Sequence, residues 1–279
     1  MSTLQDAEQC LRSGDLAQAL QQLQEQVRKH PADARLRTFL FQLLAVLGQW
    51  ERALTQLELA SSLDASALAM TQMYREVIRC EALRTEVFAG RKVPMIFGQP
   101  EPWLALLIES LVLAGQGRAP EAEALRAQAY EAATAVGGSL NDMPFTWIAD
   151  ADSRLGPVLE AMIDGKYYWV PFMHLSEIII EAPADLRDVV WMPAHLRLSN
   201  GGETVALIPS RYPNTETSGD PLLALGRKTE WRELAPGVYH GLGQRMLVTD
   251  SVEVPLLDIR RITLDAVTPD TAGAQAEEA

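Results

Sequence analysis

The sequence has few of the residues from which disulfides, metal sites and membrane spans are built. Its 279 residues include two cysteines, Cys10 and Cys80, and four histidines, no two of which lie within four residues of each other. There is no CxxC pair and no helical pair of histidines, so the one kind of metal site that the sequence still allows is one assembled from distant segments. Apolar runs such as residues 104–108 and 111–114 are far too short to cross a bilayer.

Positive charge is also scarce. The 24 Lys and Arg residues are outnumbered by 37 Asp and Glu residues, which gives a formal net charge of -13. Binding to nucleic acid or to an anionic membrane needs clustered basic groups, so this balance argues against both roles. Most of the acidic excess lies in residues 139–279, where it indicates either solubility or an acidic surface that faces a partner. Residues 1–6 lack the basic and apolar segments of a signal peptide, and with the cysteine usage this predicts a cytoplasmic protein.

The motifs of common enzyme classes are missing as well. There is no GxSxG nucleophile turn and no phosphate-binding P-loop. Gly241-Leu-Gly243 begins like a dinucleotide fingerprint, but the third glycine is missing and strands are expected on both sides. We therefore predict a turn or bulge at this point, and no bound cofactor.

The sequence does contain an internal repeat in its first half. Residues 14–20 (GDLAQAL) match residues 48–54 (GQWERAL) at an offset of 34 residues, and Leu23 matches Leu57 at the same offset. The period and the pattern resemble the tetratricopeptide repeat, in which helix pairs stack because no single pair can bury its apolar stripe alone. A weaker third copy begins at Gly117.

Seven helices are predicted in this half, near residues 3–13, 16–29, 34–47, 50–62, 67–89, 103–115 and 119–135. Arrays of this kind bind a peptide or a helix on a concave face. The alternative is that this array only supports the second half of the chain. Four arginines would form a carboxylate clamp on that face or would lie on the solvated side of their helices. These are Arg35, Arg37, Arg75 and Arg79.

The periodicity changes after residues 136–144, which have the composition of a linker. A short helix is predicted over residues 153–164, and an alternation with a period of two follows it. Strands are predicted at residues 167–172, 176–181, 188–199, 203–210, 227–234, 238–249 and 254–260. Asn200-Gly201, between two of these strands, is the strongest hairpin signal in the chain.

These patterns together predict an α+β fold. An all-α, tetratricopeptide-like helical repeat array occupies residues 1–138, and a small, mostly antiparallel β domain follows over residues 139–264. The remaining residues, 265–279, are predicted to form a disordered acidic tail.

Six motifs in the second half follow one another in the order seen in one bacterial protein family. They are Trp147-Ile-Ala-Asp-Ala-Asp-Ser-Arg-Leu-Gly-Pro157, Tyr167-Tyr-Trp-Val-Pro171, Glu181-Ala-Pro-Ala-Asp-Leu-Arg-Asp-Val-Val-Trp191, Arg211-Tyr-Pro213, Arg227-Lys-Thr-Glu-Trp231 and Gly241-Leu-Gly-Gln-Arg245. On these motifs the chain resembles the ImpE family, whose members are also called TagJ or SciE-type proteins of the bacterial type VI secretion system. The likeness covers nearly the whole chain, but the distinctive motifs lie between residues 145 and 261.

The resemblance implies an accessory protein without catalytic residues. Similar proteins look like adaptors that bind the N-terminal helix of the small contractile-sheath subunit, TssB, and thereby influence how the ClpV ATPase handles the sheath. Binding of that kind would lay an amphipathic helix in an apolar groove. Two alternatives stay open, namely a generic tetratricopeptide scaffold with an unrelated protein partner and an enzyme that uses the Asp/Arg cluster at residues 150–188.

Two sets of side chains are the candidates for these roles. Aromatic residues, together with one arginine, would anchor a partner, because exposed aromatic side chains carry much of the energy of an interface. This set consists of Trp147, Tyr167, Tyr168, Trp169, Trp191, Arg211, Tyr212 and Trp231. Acidic and arginine side chains would form one buried ion-pair network, in which the arginines complement Asp185 and Asp188. This set consists of Asp150, Asp152, Arg154, Asp185, Arg187, Asp188 and Arg245, with Arg211 as a further arginine.

Overall fold

The first half of the chain folds into seven helices, each of which contacts the next. The computed structural model describes residues 2–267, and these helices are α1 Ser2–Ser13, α2 Leu16–Lys29, α3 Ala34–Val46, α4 Trp50–Leu63, α5 Leu68–Phe88, α6 Pro102–Gly115 and α7 Ala119–Ala132. Their positions confirm the predicted repeat array to within a few residues at each end.

The repeat pattern has a direct structural counterpart. Ala19 and Ala53, which are 34 residues apart, are both fully buried, and so are Leu23 and Leu57. Small and apolar side chains recur at these positions because the stacked helices approach closely there. Gly48, in the turn between α3 and α4, has a φ of +65°, a left-handed conformation that glycine adopts without strain.

Fourteen strands and a short helix are found in the described residues. The strands are β1 Met95–Ile96, β2 Gly138–Leu140, β3 Met143–Phe145, β4 Ile148–Asp150, β5 Val158–Ile163, β6 Lys166–Pro171, β7 Leu175–Ile180, β8 Trp191–Leu198, β9 Glu203–Pro209, β10 Thr229–Ala235, β11 Val238–Gly243, β12 Met246–Thr249, β13 Glu253–Pro255 and β14 Arg261–Leu264. The short helix is α8 Pro221–Ala224.

The largest sheet has nine strands in the order β1-β6-β5-β9-β8-β7-β14-β2-β3. Its neighbouring strands are antiparallel except β1 and β6, which run parallel. Because β1 lies between α5 and α6, the helical half supplies one edge strand of this sheet. A three-stranded sheet (β13-β12-β4) and a two-stranded sheet (β10-β11) complete the second half. The predicted α+β fold class is confirmed, as is the β8–β9 hairpin at Asn200-Gly201.

Two segments differ from the prediction. The predicted helix over residues 153–164 is wrong, because Val158–Ile163 is the interior strand β5, which turns into β6 at Asp164-Gly165. All six residues of β5 are buried, so the strand lacks the alternation that marks a half-exposed strand. The predicted linker at residues 136–144 is also wrong, since β2 and β3 pair there as a hairpin.

Several strands have other bounds than predicted. The predicted strand 238–249 is broken at Gln244-Arg245 into β11 and β12. The turn or bulge predicted from Gly241-Leu-Gly243 corresponds to this break, since β11 ends at Gly243, which has a φ of +87°, while Gly241 lies within the strand. A Cβ at Gly241 would lie 2.2 Å from the ring of Tyr212, which explains the glycine. Short 3₁₀ helices at Leu186–Val189 and Leu256–Asp258 replace the start of the predicted strand 188–199 and the middle of the predicted strand 254–260.

The nine-stranded sheet is covered on both faces. One face packs against the helices, and its cluster joins Phe41, Leu57 and Tyr74 to Tyr167 and Trp191. The other face contributes Leu159, Ile178 and Met192 to a second cluster, which includes residues of β4, β12 and the segment 256–259. Successive side chains of a strand point to opposite faces, so neighbouring residues of β5 and β6 belong to different clusters.

The start of the predicted tail is attached to the sheet half, since the backbone N–H of Asp265 donates to the carbonyl of Gly137 at 2.9 Å. The rest of that tail, residues 268–279, lies outside the described residues. Between residues 2 and 267 no helix is both long enough and apolar enough to cross a membrane.

Candidate functional site

A carboxylate lies at the centre of the contact between the helices and the nine-stranded sheet. Glu160 is on the helix-facing side of β5, and its side chain is fully buried. Arg84 of α5 donates two hydrogen bonds to it, Nε to Oε1 at 2.7 Å and Nη2 to Oε2 at 3.0 Å. Arg245 donates to Oε2 and the hydroxyl of Tyr167 donates to Oε1. One carboxylate therefore joins a helix, two strands and the break between β11 and β12.

Arg245 extends this network to a second buried carboxylate. Its Nη1 donates to Oδ2 of Asp150 in β4, and its Nε donates to the carbonyl of Pro209 at 2.8 Å. Asp150 also accepts from the hydroxyl of Tyr212 at 3.1 Å and from the backbone N–H of Asp152 at 2.8 Å. Charged groups inside a protein are tolerated when they are paired and hydrogen-bonded in this way.

The tryptophans of the helix-facing side take part in the same network. The indole N–H of Trp191 donates to Oε1 of Glu81 at 2.7 Å, and that of Trp169 donates to the hydroxyl of Tyr167 at 2.8 Å. The ring of Trp191 also packs against Tyr74 of α5, with the ring centroids 5.4 Å apart. These aromatic side chains fasten the sheet to α5.

Arg211 is a buried cation at the ends of two helices. Its Nη1 donates to the carbonyl of Val46 at 2.8 Å and to the carbonyl of Ala224, which end α3 and α8. A cation is favoured at a helix C-terminus, where carbonyl groups lack partners within the helix. Burial lowers the pKa of Arg211 to about 10, against the opposing effects of Glu216 and Glu81.

The structure places the predicted partner contacts largely in the interior. Five of the eight are buried, namely Tyr167, Trp169, Trp191, Arg211 and Tyr212. The helices cover Tyr167, Trp169 and Trp191 on the face of the nine-stranded sheet. Tyr212 instead packs against Trp231, with the ring centroids 5.4 Å apart. Trp147 and Trp231 are 38% and 39% exposed. Tyr168 is half-buried, with its ring edge-to-face against Phe97 at 5.2 Å.

The predicted ion-pair set forms three separate groups, so the expectation of a single network around Asp185 and Asp188 is wrong. Asp150 and Arg245 belong to the group around Glu160. Asp152 binds Arg154, whose Nε donates to Oδ1 at 2.8 Å.

The third group closes a 3₁₀ turn at the edge of the helices. Asp185 and Asp188 form its reciprocal cap, in which the carboxylate of Asp188 accepts the backbone N–H of Asp185 at 2.8 Å. Arg187 pairs with Asp185 at 2.5 Å, and its guanidinium lies 5.4 Å from the ring centroid of Tyr74. The Asp185 side chain is 44% exposed, so this group is only partly buried.

Two carboxylates of the network have pKa values shifted in opposite directions. Burial raises the pKa of Asp150 to about 6, against the attraction of Arg245. Burial also acts to raise the pKa of Glu160, but Arg84 and Arg245 together lower that pKa to about 2. The difference follows from the number of arginines, since Glu160 has two and Asp150 shares one of them.

Three members of the network were missed by the sequence analysis. Glu81 and Arg84 lie on a helix whose other charged residues face solvent, and Glu160 lies inside a segment predicted as helix. One signal was available for Glu160, because it is the single charged residue within the apolar run of residues 158–163.

The network offers little for catalysis in this conformation. Asp150, Asp152 and Glu160 are buried and each has a basic partner. A general acid or base has to reach a substrate, directly or through one water. Within residues 2–267 no group of three His, Cys, Asp or Glu side chains is arranged to hold a metal ion.

Three of the four arginines proposed for a clamp, namely Arg37, Arg75 and Arg79, have side-chain partners within the helical array. Arg75 pairs with Glu58 at 2.9 Å, and Arg79 pairs with Glu76 at 2.7 Å. Arg37 donates to the side chain of Gln56 at 3.0 Å. The Arg75 and Arg79 pairs are largely exposed, as expected for the solvated side of the helices.

The open grooves that border the contact between the halves include two with largely apolar linings. The first, which we name the repeat-turn groove, has a volume of about 430 Å³ and is lined by some of the residues in the segments 14–20, 47–49 and 216–224. The second, which we name the sheet-face groove, has a volume of about 470 Å³ and lies between α5 and strands β5, β8 and β9. Cavities of this size accept several side chains of a ligand or partner.

Comparison with known proteins identifies relatives over most of the chain. The sequence model of the family described as ImpE protein matches residues 142–263, and that of a tetratricopeptide repeat matches residues 11–71. The type VI secretion system accessory component TagJ of Pseudomonas aeruginosa is 54% identical over 259 residues, which cover 93% of this chain and 91% of that protein.

A solved structure has the same fold. The crystal structure of protein VPA1032 from Vibrio parahaemolyticus superposes with a TM-score of 0.84 at 26% sequence identity. The match covers 94% of this chain and 98% of that one, so the helical array and the sheets occur together in both.

Proposed function

The chain belongs to the ImpE family, and from that premise we propose that it is a non-catalytic adaptor of a bacterial type VI secretion system. The main support is the relative that is named as an accessory component of that system, because the two sequences match over nearly the full length of both chains. The tetratricopeptide-like array adds to this, because such arrays commonly bind peptides and helices.

The partner that we propose is the N-terminal helix of TssB, the small subunit of the contractile sheath. Binding would occur in the bacterial cytoplasm and would modulate sheath assembly or its ClpV-dependent recycling. An amphipathic helix needs an apolar groove that is open to solvent, and the two grooves beside the contact between the halves meet this requirement.

One observation carries the non-catalytic part of the proposal, namely that the carboxylates of the network are paired and closed to solvent. An enzyme that used the Asp/Arg cluster at residues 150–188 would present at least one of these groups in an open cleft. Glu160 instead joins the helices to the sheet through Arg84, and Asp150 and Asp152 pair with Arg245 and Arg154 within the second half. This arrangement supports a scaffold.

A direct binding measurement tests the proposal. A fluorescent synthetic peptide with the sequence of the N-terminal helix of TssB from the same bacterium is titrated with the purified chain, and anisotropy is recorded. We expect a Kd on the order of 10 µM or tighter. The control is a scrambled peptide of the same composition. Equal anisotropy curves for the two peptides, with a protein that shows a cooperative unfolding transition, would count against the adaptor.

A further inference from the structure

The repeat-turn groove has an apolar floor. Leu16, Leu20 and Leu47 come from the helical array, and Pro221 and Ala224 come from α8. Leu222 stands at its edge, 41% exposed, and lies 3.6 Å from the position that a Cβ at Gly14 would take. Because two parts of the chain that are distant in sequence form this floor, the groove exists only in the assembled molecule.

The rim of the groove is acidic. Asp15, Glu216 and Asp220 line it, and the described residues that line it include no Lys, Arg or His. Two of these carboxylates have structural roles, since Asp15 caps α2 and Asp220 caps α8. Asp220 also pairs with Lys228 at 2.7 Å.

Glu216 differs from the other two carboxylates of the rim. It is half-buried, yet in the described part of the chain its carboxylate has neither a hydrogen bond nor an ion pair. Glu216 acts electrostatically on the buried Arg211, but Arg211 directs its hydrogen bonds to the carbonyls of Val46 and Ala224. A half-buried carboxylate without a direct partner favours a cation from outside.

The repeat glycine holds Glu216 at this position. A Cβ at Gly48 would lie 2.4 Å from Cγ of Glu216 and 2.7 Å from its Cβ, so only glycine leaves room for the glutamate to cross the turn. Gly48 thereby has two roles, because its φ of +65° also forms the turn between α3 and α4.

We propose that the repeat-turn groove binds a basic amphipathic helix of a partner protein, whose apolar stripe lies on the leucines and whose Lys or Arg pairs with Glu216. This inference rests on the proposed adaptor function, and it places the partner helix on the molecule and states its charge. The apolar anchors of such a helix recur at every third or fourth residue, and the basic residue lies beside that stripe.

The sheet-face groove is the competing location. It is also apolar, with Met73, Val205 and Leu207 in its lining, but its charged groups include both signs. Glu76 pairs there with Arg79, and Arg187 pairs with Asp185. Asp164 also lines this groove, and its carboxylate has neither a hydrogen bond nor an ion pair to any residue that the structure describes, but it is exposed, so water solvates its charge. The half-buried Glu216 of the repeat-turn groove is less well solvated and therefore favours a basic partner more strongly.

The test uses the full chain, the TssB helix peptide and three variants. Ala17→Arg places a large cation in the repeat-turn groove from an exposed position of α2. Val205→Arg is the matched control, because it places the same side chain in the sheet-face groove from a position that is 59% exposed. Glu216→Gln removes the unpaired charge and keeps the shape. Unfolding curves establish that each variant is folded.

We expect Ala17→Arg to weaken binding by about tenfold or more and Glu216→Gln to weaken it by about three- to tenfold. Val205→Arg should leave the affinity unchanged. Added salt should weaken binding to the wild-type chain more than binding to Glu216→Gln, because one charge pair is missing in the variant.

Three outcomes would overturn the proposal, and they can be told apart. If Val205→Arg weakens binding and Ala17→Arg does not, the helix binds in the sheet-face groove, and the adaptor function stands. If Ala17→Arg weakens binding but Glu216→Gln changes neither the affinity nor its salt dependence, the partner is not held by a basic residue. If the wild-type chain does not bind the peptide at all, the proposed function fails together with its location.

Discussion

The nine-stranded sheet is buried on both faces, but the two faces are covered through different kinds of contact. The face toward β4 and β12 contributes apolar side chains such as Leu159, Ile178 and Met192. The face toward the helices carries Glu160 among its aromatic residues, with arginines from α5 and from the break after β11.

The difference indicates what each face contributes to the molecule. Apolar packing stabilises a contact without requiring one particular orientation, since the hydrophobic effect has no direction. Charged hydrogen bonds stabilise only one geometry, and a wrong geometry leaves charges buried without partners. We infer that the network sets the position of the helices on the sheet, while the apolar cluster mainly contributes stability.

The largest effect is expected from removing the charge of Glu160. Glu160→Gln leaves the buried Arg84 and Arg245 without their shared carboxylate and should lower the free energy of unfolding by about 3–5 kcal/mol. Urea unfolding at pH 7 measures the change. The matched control is Glu177→Gln, because Glu177 also pairs with two arginines, but both arginine side chains are more than half exposed, at 52% and 59%. Its cost should stay below about 1 kcal/mol. Similar costs for the two variants would mean that burial of the arginines does not make the Glu160 network more costly to disrupt.

A comparable substitution on the opposite face should cost somewhat less. Leu159 is 1% exposed and belongs to the apolar cluster. Leu159→Ala leaves a cavity and should lower the free energy of unfolding by about 2–4 kcal/mol. Urea unfolding at pH 5 and at pH 7 should give the same loss, since no ionisable group of this cluster changes its charge. A loss that depends on pH would show that the two faces are coupled.

The pH dependence of stability separates the two carboxylates of the helix-facing side. The pKa of Glu160 is lowered to about 2, so its stabilisation is present above the usual value near 4.5 and is lost as the pH falls toward 2. The pKa of Asp150 is raised to about 6, so its stabilisation is present below about 4 and is lost as the pH rises through 6.

Asp150→Asn isolates the second of these effects. The free energy of unfolding of the wild-type chain, relative to that of the variant, should decrease between pH 4 and pH 6. Urea unfolding at half-unit pH intervals gives this difference. The contributions of other titrating groups, such as His240, are the same in both proteins and cancel. A difference that is flat over this range would contradict the raised pKa of Asp150.

The smallest effect concerns the repeat glycines. Gly48→Ala forces alanine into a left-handed conformation and also displaces Glu216, whereas Gly117→Ala, with a φ of +77°, meets no atom within 4 Å. Strain alone should cost each variant about 1 kcal/mol, and displacement of the glutamate should cost Gly48→Ala about 1 kcal/mol more. Thermal unfolding of both variants measures the difference. Equal melting temperatures would mean that Glu216 moves aside freely.

The helical half could be predicted from the sequence because its structure is local. The 34-residue offset places Ala19 and Ala53, and Leu23 and Leu57, at equivalent buried positions, so periodicity alone reveals the fold. Strand β5 could not be recognised in this way. It is buried on both sides, and a short continuous apolar run has no period that distinguishes a strand from a helix.

The candidate site was predicted less well, because it depends on contacts between distant segments. Glu160 and Arg84 are 76 residues apart, and no local pattern connects them. Alternation along β6 correctly separates Tyr167 and Trp169 from Tyr168, but it does not reveal which face another part of the chain will cover. The face that was expected to meet a partner turned out to be covered by α5.

The short strand β1 has a consequence for how the chain unfolds. Met95–Ile96 leaves the helical half and hydrogen-bonds to β6, so cutting the chain near residue 138 would strip an edge from the sheet and remove the counter-ion that α5 supplies to Glu160. Neither fragment would keep a complete interior. The repeats and the sheets should consequently melt as one cooperative unit, and a heat-capacity trace of the full chain should contain a single peak.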